Sequence, residues 1–232
     1  MSTTDPFEIL FVCAGNTSRS PFAAACAREE LAKLDGGGWR VVSAGTTVSD
    51  ESGPTDEARR LAAEFGLDLG SHRPRTVTAE DCRRADLIIA IGWDQASHVW
   101  SLVPDSWDRC FTLKEFVHYA RRAPSRPAIL YAGTADRMRD RVKAAHELRR
   151  RARSDHGFWG DLRPQDFDIP EPDAVHPDGW RTFARVMRLL VIDAMRLVVG
   201  PRPDPRSDAP KKKAARTRKA AHARPRSARR AT

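Results

Sequence analysis

The chain has 232 residues, 41% of them hydrophobic, enough to bury a full core, and one folded domain is the expected organisation. No apolar run approaches the roughly 20 residues of a membrane-spanning helix, and the N-terminal MSTTDPFEI has neither the basic nor the apolar region of a signal peptide. The formal charge of +9 is unevenly placed: residues 200–232 hold 12 Lys and Arg against 2 Asp, and the remainder holds 28 basic and 29 acidic residues.

The first element in chain order is the apolar run Phe7-Glu8-Ile9-Leu10-Phe11-Val12, a buried strand, followed by the loop Cys13-Ala14-Gly15-Asn16-Thr17-Ser18-Arg19 and an Ala-rich helix over 20–34. A strand follows at 40–44, then helices at 56–66 and 78–84. Next come a strand at 86–92, a helix at 95–102, a strand at 109–113 and a helix at 113–121. Strands that read as continuous apolar runs between helices predict an α/β fold, a four-stranded parallel sheet covered on both faces. Residues 122–129 carry Pro124 and Pro127 and read as a loop, and the Arg-rich stretch from about 133 to 153 reads as an exposed or bridging helix with a solvated face at 138–153. Residues 160–179 read as a loop. Phe183, Val186, Met187, Leu190, Val191, Ala194, Leu197 and Val198 recur at helical spacing, which predicts an amphipathic helix docked on the core and ended by Gly200-Pro201. Beyond Gly200 no large apolar residue occurs, so residues 200–232 are expected to be disordered. The folded domain is thus 1–199, with an insertion at about 122–165.

The seven residues from Cys13 to Arg19 carry the chemistry. In a parallel sheet the ligand sits at the carboxyl ends of the strands near the reversal of strand order, and this loop leaves the first strand. A strand-to-helix loop presents backbone N–H groups and the positive end of a helix dipole, which suits a phosphate-like dianion. Those groups and Arg19 favour the thiolate of Cys13, the nucleophilic form. The planar fork of Arg19 can grip two phosphoryl oxygens and stabilise the same oxygens during transfer. Ala14, Gly15, Asn16, Thr17, Ser18 and Ser20 would line the substrate phosphate. Gly15 and Asn16 tolerate left-handed backbone. Ser20 can donate to the thiolate, and Pro21 suits a first helical turn.

The run CAGNTSRSP resembles the signature C-x-G-N-x-C-R-S-P of the low-molecular-weight protein tyrosine phosphatases, departing only at Ser18. Ser43-Ala44-Gly45-Thr46, Ser71-His72-Arg73-Pro74-Arg75-Thr76 and Asp86–Gly92 resemble further landmarks of that family. The resemblance implies a flavodoxin-like three-layer fold and a cysteinyl-phosphate intermediate. It implies no metal or cofactor, and a phosphorylated protein as substrate. It also implies that Ser43 and His72 support Asn16, and that a late acid protonates the leaving group and then activates water. Glu171-Pro172 stands where the family has Asp-Pro, which makes Glu171 the candidate acid, with Asp168 and Asp173 as fallbacks. Asp173 also stands where the family has an aromatic residue flanking the substrate ring, which weakens a strict phosphotyrosine preference.

Two further departures matter. Thr17 occupies a position that is aliphatic in the tyrosine phosphatases and threonine in bacterial members acting on phosphoarginine. Ser18 removes a thiol that relatives use to trap oxidised Cys13. Phosphotyrosine is the default substrate, with phosphoarginine, arsenate reduction or a non-catalytic phosphate-binding module as alternatives. Arsenate-reducing relatives need a cysteine pair after the third strand, where this chain has Trp93-Asp94. Asp94 could face the site or cap the following helix, and Trp93 could line the cleft. Cys26, Cys82 and Cys110 are expected in the core, and widely spaced cysteines suit a reducing, cytoplasmic setting. The tail could attract nucleic acid or another polyanion without sequence preference.

Overall fold

The computed structural model describes residues 5–34, 37–49, 52–124, 134–155, 164–169 and 178–200. β1 (Phe7–Cys13) is buried along its whole length, as a central strand must be. It pairs in parallel with β2 (Trp39–Gly45) on one side and β3 (Leu87–Ala90) on the other, and β3 pairs with β4 (Cys110–Thr112). The order β2-β1-β3-β4 makes β1 the strand at which the connections change direction. The crevice above its carboxyl end is therefore the natural ligand position.

Alternate residues of β1 serve two cores. Phe7, Ile9, Phe11 and Cys13 face α1 (Arg19–Leu34), α5 (Leu113–Ala120) and α7 (Gly179–Val199). Leu10 and Val12 face Cys82 of α3 (Ala79–Arg84) and Ala96 and Val99 of α4 (Trp93–Leu102). α2 (Asp56–Glu64) joins the first layer through Ala58, Leu61 and Ala62. The result is the expected three-layer α/β fold. The docked C-terminal helix matches the expected amphipathic period and runs to Val199. Cys26, Cys82 and Cys110 are core residues, and all four cysteines are free.

α6 (Thr134–Asp155) is the main correction. It is not simply an exposed helix: Lys143, Glu147, Arg150 and Arg151 face solvent, but Met138, Val142, Ala145, Arg141 and Arg149 are buried. Arg149, 0% exposed, lies between the rings of Trp107 and Phe111, 4.2 and 3.9 Å from their centroids. It donates to the Cys110 carbonyl at 2.7 Å and to the Trp107 carbonyl, and pairs with Glu115 at 3.4 Å. Arg153 covers the other partner oxygen of Glu115 at 3.2 Å. Arg141 donates to Leu197 O at 2.7 Å and Ala120 O at 3.2 Å, satisfying carbonyls at the ends of α7 and α5. Counting charges hides this, because a guanidinium that meets carbonyls, a carboxylate and aromatic faces can be buried. The stretch expected as a strand over 86–92 is shorter, Leu87–Ala90, with Asp86 N–H to Glu8 O at 2.9 Å and Ile91 N–H to Val12 O at 2.8 Å closing its two ends against β1.

Trp93, Trp100 and Trp107 meet edge to face, with successive centroids 4.9 and 5.1 Å apart. Among the described residues no helix is long and apolar enough to cross a membrane. The expected disorder of the tail concerns residues that, after Gly200, lie outside the described ones.

Candidate active site

β1 carries Cys13 to the carboxyl edge of the sheet, and α1 opens at Arg19. Cys13 is 2% exposed. Its Sγ lies 3.3 Å from the Asn16 backbone nitrogen, which donates to it, and 3.0 Å from Ser20 Oγ. The single Ser20 proton has two acceptors in reach, Cys13 Sγ at 3.0 Å and Ala44 O at 3.3 Å. A thiolate wins that competition, because a charged acceptor forms the stronger bond.

Asn16 holds the loop's shape. It is fully buried with φ 55°, the left-handed region that asparagine enters more readily than most residues. Its Nδ2 donates to Ser20 Oγ at 2.9 Å and Ser43 Oγ at 3.0 Å, and its Oδ1 accepts from the Arg75 N–H at 3.0 Å. His72 Nε2 lies 2.8 Å from the Asn16 carbonyl, so it is the protonated ring nitrogen there. Burial holds the His72 pKa below its usual value, with Arg28, Arg73 and Arg75 adding to the shift and the bond to Asn16 opposing it. The shift favours the neutral ring.

The loop's carbonyls are drawn outward. Thr46 N–H donates to Cys13 O at 3.0 Å, Thr47 N–H to Ala14 O at 3.0 Å, and Thr55 N–H to Thr17 O at 3.1 Å. In a trans peptide the N–H points opposite to the C=O. With the carbonyls of residues 13, 14, 16 and 17 bound outside, the N–H groups of Ala14, Gly15, Thr17 and Ser18 turn inward. Such a ring of donors suits the oxygens of a tetrahedral anion. A Cβ built on Gly15 would sit 3.4 Å from Thr17 Oγ1, so the Thr17 hydroxyl leans over Gly15. Arg19 is half-buried at the head of α1.

Ser43 and His72 thus converge on the loop. Asp168 has no such bond to the loop among those described; its Oδ1 accepts the Trp93 N–H at 2.6 Å, at the head of α4. The cap of α4 is Gly92 without a side-chain bond, and Asp94 lies within the first turn, so Asp94 is not the cap. Glu171 and Asp173 lie outside the described residues. Three contributors escaped sequence reasoning. Thr55 caps α2 and also bonds Ser18 Oγ at 3.0 Å. Its capping pattern was legible, its contact with the loop was not. Arg75 acts through its backbone, and Gly45 through the side chain it lacks. Both lie within runs that resembled family landmarks, with nothing in those runs to suggest these contacts.

A buried cysteine held by an amide and a hydroxyl, in an inward-facing ring of N–H groups at the switch point of a parallel sheet, defines a cysteine-dependent phosphoryl-binding site. Residues 8–127 match the model of the family described as low molecular weight phosphotyrosine protein phosphatase. The protein-arginine-phosphatase of Geobacillus stearothermophilus is 33% identical over 112 residues, 48% of this chain and 72% of the relative. A probable low molecular weight protein-tyrosine-phosphatase, EpsP, of Ralstonia solanacearum is 31% identical over 122 residues, 53% and 81% of the two chains. In fold, the chain resembles the crystal structure of the low molecular weight protein tyrosine phosphatase from T. tengcongensis. The TM-score is 0.56 at 24% identity, covering 82% of this chain and 98% of that one. The chain belongs to the low molecular weight phosphotyrosine protein phosphatase family. Its chemistry is cysteine-based phosphoester hydrolysis.

Proposed function

We propose that this protein removes phosphoryl groups from phosphorylated protein side chains, with phosphotyrosine as the default substrate. The observation that carries the reading is the Cys13 sulfur, bonded by Asn16 N–H and Ser20 Oγ at the centre of the anion loop. Cys13 Sγ attacks phosphorus while the bond to the leaving oxygen breaks, and that oxygen takes a proton from the acid. The resulting carboxylate then takes a proton from water, whose oxygen displaces Cys13 and releases phosphate. Arg19 and the loop amides hold the three equatorial oxygens throughout. Ser20 stabilises the thiolate as it leaves. Ser43 and His72 keep Asn16, and with it the loop, in the binding shape.

Glu171 is the proposed acid. Ile169 N–H donates to Ile91 O at 3.3 Å, and Ile91 N–H to Val12 O at 2.8 Å, so the chain is tethered beside the end of β1 only two residues before Glu171. Two residues reach about 7 Å, and a glutamate side chain extends that reach. A burst of p-nitrophenol from p-nitrophenyl phosphate, lost in Cys13→Ser, tests the covalent step. Wild type with neither burst nor turnover leaves a binding module.

A second reading, phosphoarginine, draws on the Thr17 hydroxyl leaning over Gly15 and on the similarity to protein-arginine-phosphatases. Thr17→Ile should shift the ratio of phosphoarginine to phosphotyrosine hydrolysis toward phosphotyrosine, and an unchanged ratio removes this reading. Four free thiols support a cytoplasmic setting. The basic tail carries enough charge for weak polyanion contact, and a form ending at Gly200 that keeps the same salt-sensitive DNA affinity would remove that idea.

A further inference from the structure

Asp168 was a candidate proton donor from sequence, and its surroundings assign it other work. Its Oδ1 accepts the Trp93 N–H at 2.6 Å, one of the donors that the first turn of α4 leaves without an intrahelical partner. The residue before it, Gly92, has no side chain to do this. A Cβ built there would stand 3.4 Å from Asp168 Oδ1, so the carboxylate packs directly against the backbone of Gly92. The Asp168 carbonyl accepts from Lys114 Nζ at 2.6 Å, at the start of α5. The next residue, Ile169, is 5% exposed and donates its N–H to Ile91 O at 3.3 Å. The preceding residue, Phe167, meets the His118 ring edge to face at 5.9 Å. Three consecutive residues are therefore tied to the end of β3, to α4 and to α5. This fastened segment leads straight into the residues proposed to supply the acid.

We infer that Asp168 is a positioning residue that fastens the acid-bearing segment to the carboxyl edge of the sheet, and is not itself the proton donor. The inference rests on the proposed hydrolytic reading. Its mechanism is geometric. A carboxyl that protonates a leaving oxygen must arrive within hydrogen-bond reach of it, and displacement by about 1 Å costs on the order of 10²-fold in rate. In kcat/KM, which reports the steps up to loss of the leaving group, that cost falls only on substrates whose leaving oxygen needs the proton, whereas in kcat the later activation of water by the same carboxyl is shared by all substrates.

The test compares phenyl phosphate, a poor leaving group, with 2,4-dinitrophenyl phosphate, which departs without a proton. Asp168→Ala should lower kcat/KM for phenyl phosphate by about 10²-fold and leave dinitrophenyl phosphate within about threefold. Asp168→Asn should restore most of the loss, because an amide oxygen still accepts the Trp93 N–H but an amide cannot serve as a carboxylic acid. If Asp168→Asn falls as far as Asp168→Ala on phenyl phosphate, Asp168 is the donor and the inference fails. Equal loss on both substrates marks a general structural role and also overturns it, as does no loss in the alanine variant. Should Asp168→Ala not fold, Lys114→Met removes the tether on the Asp168 carbonyl and must show the same leaving-group selectivity; an unselective or absent effect refutes the inference. Failure of the hydrolytic reading itself would look different: wild type would not turn over dinitrophenyl phosphate at all.

Discussion

Gly45 offers the sharpest test of how the catalytic loop is held. It ends β2, directly opposite Cys13 in the β1–β2 register. Its N–H donates to Arg75 O at 2.9 Å and its carbonyl accepts from Val77 N–H at 2.8 Å, so it cannot withdraw from the loop. A Cβ there would lie 2.3 Å from Ala14 O, 2.8 Å from Val48 Cγ2 and 3.0 Å from Asn16 N. The Val48 methyl can rotate aside, but the other two atoms are backbone of the anion loop. A carbon–oxygen separation of that size is more than 1 Å short of ordinary van der Waals contact, which begins at about 3.5 Å. Gly45→Ala must therefore push the Ala14 carbonyl by roughly 1 Å and the Asn16 nitrogen by a few tenths of an ångström. Overpacking of this kind costs about 1–3 kcal/mol, and a misplacement of that size near the nucleophile costs about 10²-fold in rate. Initial rates with saturating p-nitrophenyl phosphate, alongside a thermal melt, measure both. A kcat within about threefold of wild type would refute the reasoning. So would an unchanged Tm, since the clash would then be absorbed without displacing the loop.

Other outcomes follow from the same contacts. Glu115→Gln should destabilise the protein by about 3–5 kcal/mol, because it leaves the buried Arg149 without its ionic partner; urea unfolding with a loss under 1 kcal/mol would contradict this. Burial lowers the pKa values of His72, His118 and His146. The unfolded chain thus binds protons that the folded one refuses, so stability is present above about pH 6.5 and is lost as pH falls through the folded values. Tm should drop between pH 7 and pH 5, and a rise would reverse the sign. Burial pushes the Cys26 thiol up to about 12, the Cys82 thiol up to about 11, and the Cys110 thiol higher still. Iodoacetamide at pH 8 should accordingly label native wild type once and native Cys13→Ser not at all, as read by mass spectrometry. Ser18 offers no resolving thiol and is bonded to Thr55. Prolonged peroxide should therefore inactivate with little recovery in dithiothreitol; full recovery would mean that another group protects Cys13.

The architecture was legible because β1, β3 and β4 are buried on both faces and read as largely apolar runs, while the helices between carry their own period. Phe7–Val12, the core of the third strand at Leu87–Ala90 and the stripe from Phe183 to Val198 needed no tertiary information. α6 was misread for an equally physical reason. Its arginines look solvated by composition, and the carbonyls, the Glu115 carboxylate and the rings that accept them come from segments distant in sequence. Asp94 was a reasonable cap by position, yet the cap interaction came from Asp168, 75 residues away from Trp93.

By itself the sequence marked the proposed reaction centre, since the proposed nucleophile, glycine, asparagine, arginine and serine are neighbours in the chain and their order suits a strand-to-helix anion loop. Only the tertiary structure decided how that loop keeps its shape. Asn16 is held by Ser43, His72 and Arg75, Thr17 by Thr55, and the space behind Ala14 by the hydrogen atom of Gly45. These partners lie 27 to 59 residues from Asn16 in the case of its own bonds, and no local pattern records such contacts. Local order in a chain specifies which groups can react. The sheet that brings remote backbone together sets where they stand.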